Sequence, residues 1–202
     1  MAQRLLIAIA LVSWMLACNG PTDSPGSAPL TPAAPSGIGT TAANGAANIG
    51  APATSGRQDV VVNMQDACDP DTFNAAFGPR TCLRSGGVKF DQFIAELRRL
   101  GFVGPWHFAP STANVRVGQT FVAMNRGGET HTFTEVAAFG GGIVPLLNQL
   151  AHVPTEAPEC AALESDDFVA PGGMYREKVD RTGALKFQCC IHPWMRLEAS
   201  SR

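Results

Sequence analysis

From Phe187 to Met195 the chain reads Phe-Gln-Cys-Cys-Ile-His-Pro-Trp-Met, which puts thiolate, imidazole and thioether donors in one short stretch. Soft sulfur ligands with imidazole are the donor set of copper. Two His and one Cys in a trigonal plane, with a weak axial Met, make a copper electron-transfer site. This stretch supplies three of those four donors, so a second His must come from elsewhere, and His131 in Gly-Gly-Glu-Thr-His-Thr-Phe (127–133) is the candidate. Strand periodicity chooses between the two cysteines. Leu185, Phe187 and Cys189 alternate with Lys186, Gln188 and Cys190, and side chains on a strand face opposite ways in turn. If Leu185 and Phe187 face the core, Cys189 does too, and Cys190 points away. A Cys and a Met in an apolar segment are by default core residues, and a lone His usually satisfies a local hydrogen bond. It is the order and spacing of four donors that favours a metal here. Haem attachment needs Cys-x-x-Cys-His, which is absent. Zinc accepts Cys and His but has no use for an axial thioether.

The pattern Cys189-x-x-His192-x-x-Met195, with Pro193 after the His and His131 upstream, resembles the ligand pattern of the cupredoxins, in particular the amicyanin and plastocyanin-like group. The likeness covers roughly Val115 to the C-terminus. It implies an all-β, Greek-key β-sandwich holding one copper per chain through His131, Cys189, His192 and Met195, with Met195 as the weak axial ligand. It also implies electron exchange with redox protein partners rather than catalysis, in a chain expected to be a monomer. Cupredoxins of this type often carry Asn directly after the first His, where it ties the ligand loops together. Thr132 stands there in this chain, and its hydroxyl can substitute only if the backbone lets it reach across. His192, flanked by Pro193 and Trp194, is expected to be the ligand nearest solvent, which would make that apolar rim the place where electrons enter and leave.

The elements that must position these residues are short strands. Asn114 to Val117 alternates, Gly118-Gln119 makes a turn, and Thr120 to Asn125 reads as a second strand before Arg126-Gly127-Gly128. His131 to Thr134 alternates again, with His131 and Phe133 on one face. Upstream, Val60 to Val62 suggests a strand and Asp71 to Phe77 a short helical turn. From Val88 to Gly101, Phe90, Phe93, Ile94, Leu97 and Leu100 share one helical face, and Arg98, Arg99 and Gly101 mark a C-terminus. This makes a small N-terminal helical extension (about 66–101), its apolar stripe expected to be core. Between Phe139 and Met174 runs a long interruption, with a helical turn or two from Ile143 to Leu150 and no long helix past Pro154 and Pro158.

Residues 1–18 read as a secretory signal, with Arg4, an apolar run from Leu5 to Leu16 and a small-residue site; Met15-Leu16-Ala17-Cys18 resembles a bacterial lipoprotein signal, with Met15 where Leu is more usual, and lipidation of Cys18 is expected over simple cleavage. Residues 19–57 are Gly, Ala, Pro, Ser and Thr with hardly a charge, the composition of a disordered linker. Residues 58–202 are then one domain. The expected location is outside the cytoplasmic membrane, periplasmic or on an outer or cell-surface membrane, touching lipid only through an anchor at Cys18. A net charge of −2 argues against nucleic acid.

An exported chain sits where thiols pair. With Cys18 lipidated and Cys189 on copper, Cys68, Cys82, Cys160 and Cys190 remain, and four cysteines allow three pairings. Cys68 with Cys82 is the local choice, its loop-closure entropy on the order of 3 kcal/mol, and Cys160 with Cys190 follows. Two rivals stand beside electron transfer. A copper enzyme would need further His-built centres, and only His107 and His152 are left. A periplasmic copper chaperone or storage protein would carry clustered Met or His, whereas the six Met are dispersed.

Overall fold

The computed structural model describes residues 58–84 and 86–202; the expected signal, the lipidation site at Cys18 and the linker lie outside the described residues. Among the described residues, eight strands form two mixed four-stranded sheets packed as a sandwich, the all-β architecture expected from the sequence. One sheet has the order β2 (His107–Ala109), β1 (Val60–Gln65), β4 (Thr120–Asn125), β6 (Met174–Lys178). The other has the order β3 (Thr112–Val115), β8 (Arg196–Ser201), β7 (Gly183–Gln188), β5 (Thr134–Glu135). From β2 to β7 each successive strand crosses to the opposite sheet, the connectivity of a Greek-key sandwich. β1 runs parallel to β4 and β3 parallel to β8; the other pairs are antiparallel.

Alternation explains how these segments bury one face. Val62 and Met64 of β1, Leu185 and Phe187 of β7, and Leu197 and Ala199 of β8 point into the core. Between the sheets Phe133 stacks on Phe187 at 4.5 Å between ring centroids, and Phe121 meets both rings edge-on or tilted at 5.8 and 5.1 Å. Such aromatic packing adds roughly 0.5–1.5 kcal/mol per pair beyond the area buried.

Two helices sit between β1 and β2, where the helical extension is expected. Helix α1 (Pro70–Phe77) begins with Pro70, and its N-cap Asp69 accepts from the Thr72 amide at 2.9 Å. Helix α2 (Phe90–Leu100) ends at Gly101, which has φ 79° and donates its amide to Leu97 O at 2.7 Å. Phe93 and Leu97 are fully buried, so the stripe is core. Leu100 on the same stripe stays exposed. The Phe73 and Phe93 rings meet at 5.5 Å, locking the helices together over one end of the sandwich, and both contact Trp106.

The strand expected over His131–Thr134 is mostly absent. Only Thr134–Glu135 pairs with β7, while His131 makes a single bridge to Val169. The reason is local: the Thr132 amide turns toward the Cys189 sulfur instead of a ladder carbonyl. The long interruption carries helix α3 (Pro145–Leu150) and two 3-10 turns (Cys160–Ala162 and Ser165–Asp167).

Candidate metal centre

β7 delivers Cys189 to the inner face, and the chain then turns tightly back into β8. The turn is closed by the Cys189 amide donating to Met195 O at 3.0 Å and the Met195 amide donating to His192 O at 2.9 Å. Cys189 and Cys190 are both fully buried but in different places: Cys189 lies in the main core, and Cys190 in a smaller cluster with Val136, Ala157 and Cys160. That is the split strand alternation requires. Disulfides join Cys68 to Cys82 and Cys160 to Cys190, and among the described residues Cys189 is the free thiol. The second bridge fastens the long segment before β6 to the back of the turn. Gly142 packs so closely against the Cys190 carbonyl that any Cβ there would collide with it.

The four residues expected to hold a metal are all fully or almost fully buried, and the structure brings three donor atoms together. Cys189 Sγ lies 3.8 Å from His131 Nδ1 and 3.9 Å from His192 Nδ1, and the three ligand atoms fall within 4.8 Å of one another. Donors bound to one ion at about 2.1 and 2.3 Å and about 120° apart would be separated by about 3.8 Å, so the spacing fits a trigonal N₂S set. Met195 is fully buried in the same turn. The Cys189 sulfur accepts the Thr132 amide at 3.5 Å and the His192 amide at 3.4 Å. Burial alone would push this thiol up; the hydrogen bonds and charges of His131 and His192 outweigh it and hold it well below the usual thiol range.

Thr132 takes the place of the expected Asn, and it does reach across. Its hydroxyl accepts from the Cys190 amide at 2.8 Å while its own amide donates to Cys189, so one buried residue ties the His131 segment to both cysteines.

Of the four expected ligands, His192 is the residue nearest solvent, as expected, but at 3% exposed against 0% for the others it is still buried, and with Pro193 buried too the expected rim is closed. Phe93, Trp106 and Trp194 surround its ring, at 6.4, 6.5 and 5.5 Å between centroids. The helices between β1 and β2 close over the site, a tertiary placement that the ligand loop does not encode. A cavity of about 270 Å³ still reaches His192 and Glu129; Phe73, Phe93 and Ile191 line it, and the exposed Phe77 and Leu146 stand among its lining residues.

Three site residues were not found by sequence reasoning. Asp66, just after β1, accepts from His131 Nε2 at 2.9 Å. It is in turn held by the amides of Gly128 and Glu129 at 2.9 Å each and of Cys68 at 3.2 Å. Gly127 permits this contact, because a Cβ there would overlap the Asp66 carboxylate. Burial tends to raise Asp66, but the His131 hydrogen bond and charge prevail and lower it to about 2. His131, which burial would depress, is raised to about 9 by Asp66 and Cys189. Glu129 accepts from Trp106 Nε1 at 2.7 Å and stands 3.6 Å from His192 Nε2, too far for a hydrogen bond. Its carboxyl is pushed up, chiefly by burial. No spacing rule links Asp66, Trp106 and Glu129 to a ligand loop that lies far along the chain.

His107 is exposed, with Nδ1 near the Gly104 and Pro105 carbonyls, and His152 takes a positive φ of 59° after α3. Neither joins a donor cluster among the described residues.

No protein-family model matches the chain, and no curated protein does. Matches among solved structures include a purple cupredoxin, a plastocyanin and an amicyanin. A purple cupredoxin from Nitrosopumilus maritimus is 12% identical, with TM-score 0.41, covering 71% of this chain and all of that one. Oxidized plastocyanin from Dryopteris crassirhizoma is 14% identical, with TM-score 0.38, covering 71% of this chain and 100% of that one. A reduced amicyanin variant is 20% identical, with TM-score 0.31, covering 46% of this chain and 70% of that one. Among the described residues no helix is long and apolar enough to cross a membrane.

Proposed function

We propose that this protein is an exported, single-copper electron carrier whose ion is held by His131, Cys189, His192 and Met195. The observation that carries the reading is the buried thiol with two imidazole Nδ1 atoms at 3.8 and 3.9 Å, spaced for a trigonal site, with a thioether residue in the same turn. Copper, when bound, supplies a one-electron couple. The chain's own residues supply the rest. The sandwich and the Thr132 bridge hold the donors in one arrangement. Core packing and the ring of Phe93, Trp106 and Trp194 cover His192 except where the cavity reaches it, and Asp66 holds the proton of His131 at Nε2.

Buried ligands move the proposed electron port away from Trp194. The cavity over His192 opens beside Phe77 and Leu146, which are 61% and 54% exposed. Apolar contact of this kind favours close but short-lived docking of a redox protein. A signal and lipidated Cys18 belong to the same proposal, placing the domain outside the cytoplasmic membrane. A storage or chaperone role has less support: of the four described methionines, Met64 and Met195 are buried, and half-buried Met124 faces exposed Met174 across β4 and β6, a single pair with no His beside it in the register. Protein-film voltammetry tests the reading. Copper-loaded protein should show a reversible one-electron wave, with self-exchange slowed by Leu146→Lys more than by Trp194→Lys. An irreversible response, or loss of copper in each cycle, would sink the carrier role.

A further inference from the structure

Behind each imidazole of the site stands a buried carboxylate. The two differ in a way that assigns them different weight. Asp66 is within hydrogen-bond distance of His131, its side chain is 1% exposed, and both oxygens are engaged: Oδ1 by the amides of Cys68 and Gly128, Oδ2 by the amide of Glu129 and by His131 Nε2. A carboxylate so surrounded can only accept, so Nε2 carries a proton and Nδ1 is the ring nitrogen left facing Cys189, the one available to an ion. Glu129 is fixed by Trp106 but lies 3.6 Å from His192 Nε2, near enough for its charge to act and too far to set the ring's orientation.

Asp66, Cys68 and Glu129 also have ligand atoms within 4.8 Å of one another. They are no second metal site, because Cys68 is bound to Cys82. The disulfide instead pins the segment that carries Asp66, and through it the imidazole.

We propose, on the reading that His131 and His192 bind copper, that Asp66 is the positioning residue of the centre, and that with Glu129 it biases the site toward the oxidised ion. Negative charge held near the donors stabilises Cu(II) more than Cu(I), since the attraction scales with ionic charge. A hydrogen-bonded carboxylate also makes the imidazole a stronger donor. The bias is therefore stronger at His131 than at His192.

Asp66→Asn tests this with little change in shape. Whichever way the amide turns, its NH₂ faces a backbone or imidazole N–H, because both Asp66 oxygens accept. Loss of such a partner lowers metal affinity by about 10–100-fold. The loss should be larger for Cu(II) than for Cu(I), so the midpoint potential rises, by about 59 mV for each tenfold difference between the two losses. Glu129→Gln should raise it less. Val62→Ala, a truncation of a buried β1 residue outside the donor cluster and the Asp66 hydrogen bonds, serves as a stability control and should leave the potential unchanged. A folded Asp66→Asn protein that binds copper with the wild-type potential would overturn the proposal. Should the variant not fold, proton NMR of wild-type Cu(I) protein decides: a downfield, exchange-protected His131 Nε2 proton supports Asp66 as positioning residue, and its absence refutes it. If wild-type protein binds no copper through Cys189, it is the electron-carrier reading that fails, an outcome distinct from either of these.

Discussion

Replacing Thr132 with Val removes one oxygen at nearly constant volume from a residue that has no exposed surface. The hydroxyl accepts from the Cys190 amide at 2.8 Å, and the neighbouring Thr134 hydroxyl donates to it at 3.0 Å. Cys190 is fully buried, so its amide has no water to turn to. A buried donor left unpaired costs about 1–3 kcal/mol, whereas Thr134 is only half-buried and its hydroxyl can re-pair with solvent. For a domain of this size each kcal/mol moves Tm by about 2–4 °C, so Thr132→Val should melt roughly 2–12 °C lower. Thr132→Ser keeps the hydroxyl and should lose only about the 0.8 kcal/mol of one buried methyl. Thr132→Asn brings in the residue expected from cupredoxins, but it must enlarge a filled site, at a cost of about 1–3 kcal/mol. The assay is denaturant unfolding of the metal-free protein with hydrogen exchange at the Cys190 amide. If Thr132→Val is as stable as wild type and Cys190 is equally protected, the bridge does not hold the two segments together.

Removing the Cys160–Cys190 bridge as a double Ala variant releases a loop with a sequence separation of 30 and should cost roughly 3–4 kcal/mol by the chain-entropy account, read as a lower urea midpoint. Trp106→Phe and Trp194→Phe should differ: the first takes the hydrogen bond from Glu129 and should destabilise by about 1–3 kcal/mol, while the second removes a buried indole N–H that has no partner among the described residues and should be close to neutral. In the metal-free protein the lowered Asp66 contributes stability that is present above its unfolded value near pH 3.8 and lost as pH falls to about 2. Unfolding free energies of wild type and Asp66→Asn should therefore converge near pH 2 and separate by roughly 2 kcal/mol above pH 4. A constant gap across that range would contradict the assignment. The acid limb is the clean one, because on the alkaline side the raised His131 and the lowered Cys189 act in opposite senses.

What the sequence made legible was local or periodic. Leu185-x-Phe187-x-Cys189 told the two adjacent cysteines apart because pleating allows only one of them on the core face. The apolar repeat of Phe90, Phe93, Ile94 and Leu97 located α2, and cysteine parity led to both disulfides. β6 and β8 were harder to see. β6 is an edge strand with no buried residue, and β8 buries, after Leu197, only Ala199 and Ser201, small side chains that carry little strand signal. The shell around the imidazoles was not legible, because Asp66 meets His131 only once β1 pairs in parallel with β4 and sets the following turn against the Gly127-Gly128 loop. His192 is covered for the same reason, since the helices that bury it are carried in by β1 and not by the ligand turn.

The most direct test of the copper assignment is the visible spectrum of the protein loaded with one equivalent of Cu(II), compared with Cys189→Ser. The wild type should be blue or green, with an intense thiolate-to-copper band that Cys189→Ser abolishes. A colourless wild-type complex, or a band that survives Cys189→Ser, would contradict the proposed site.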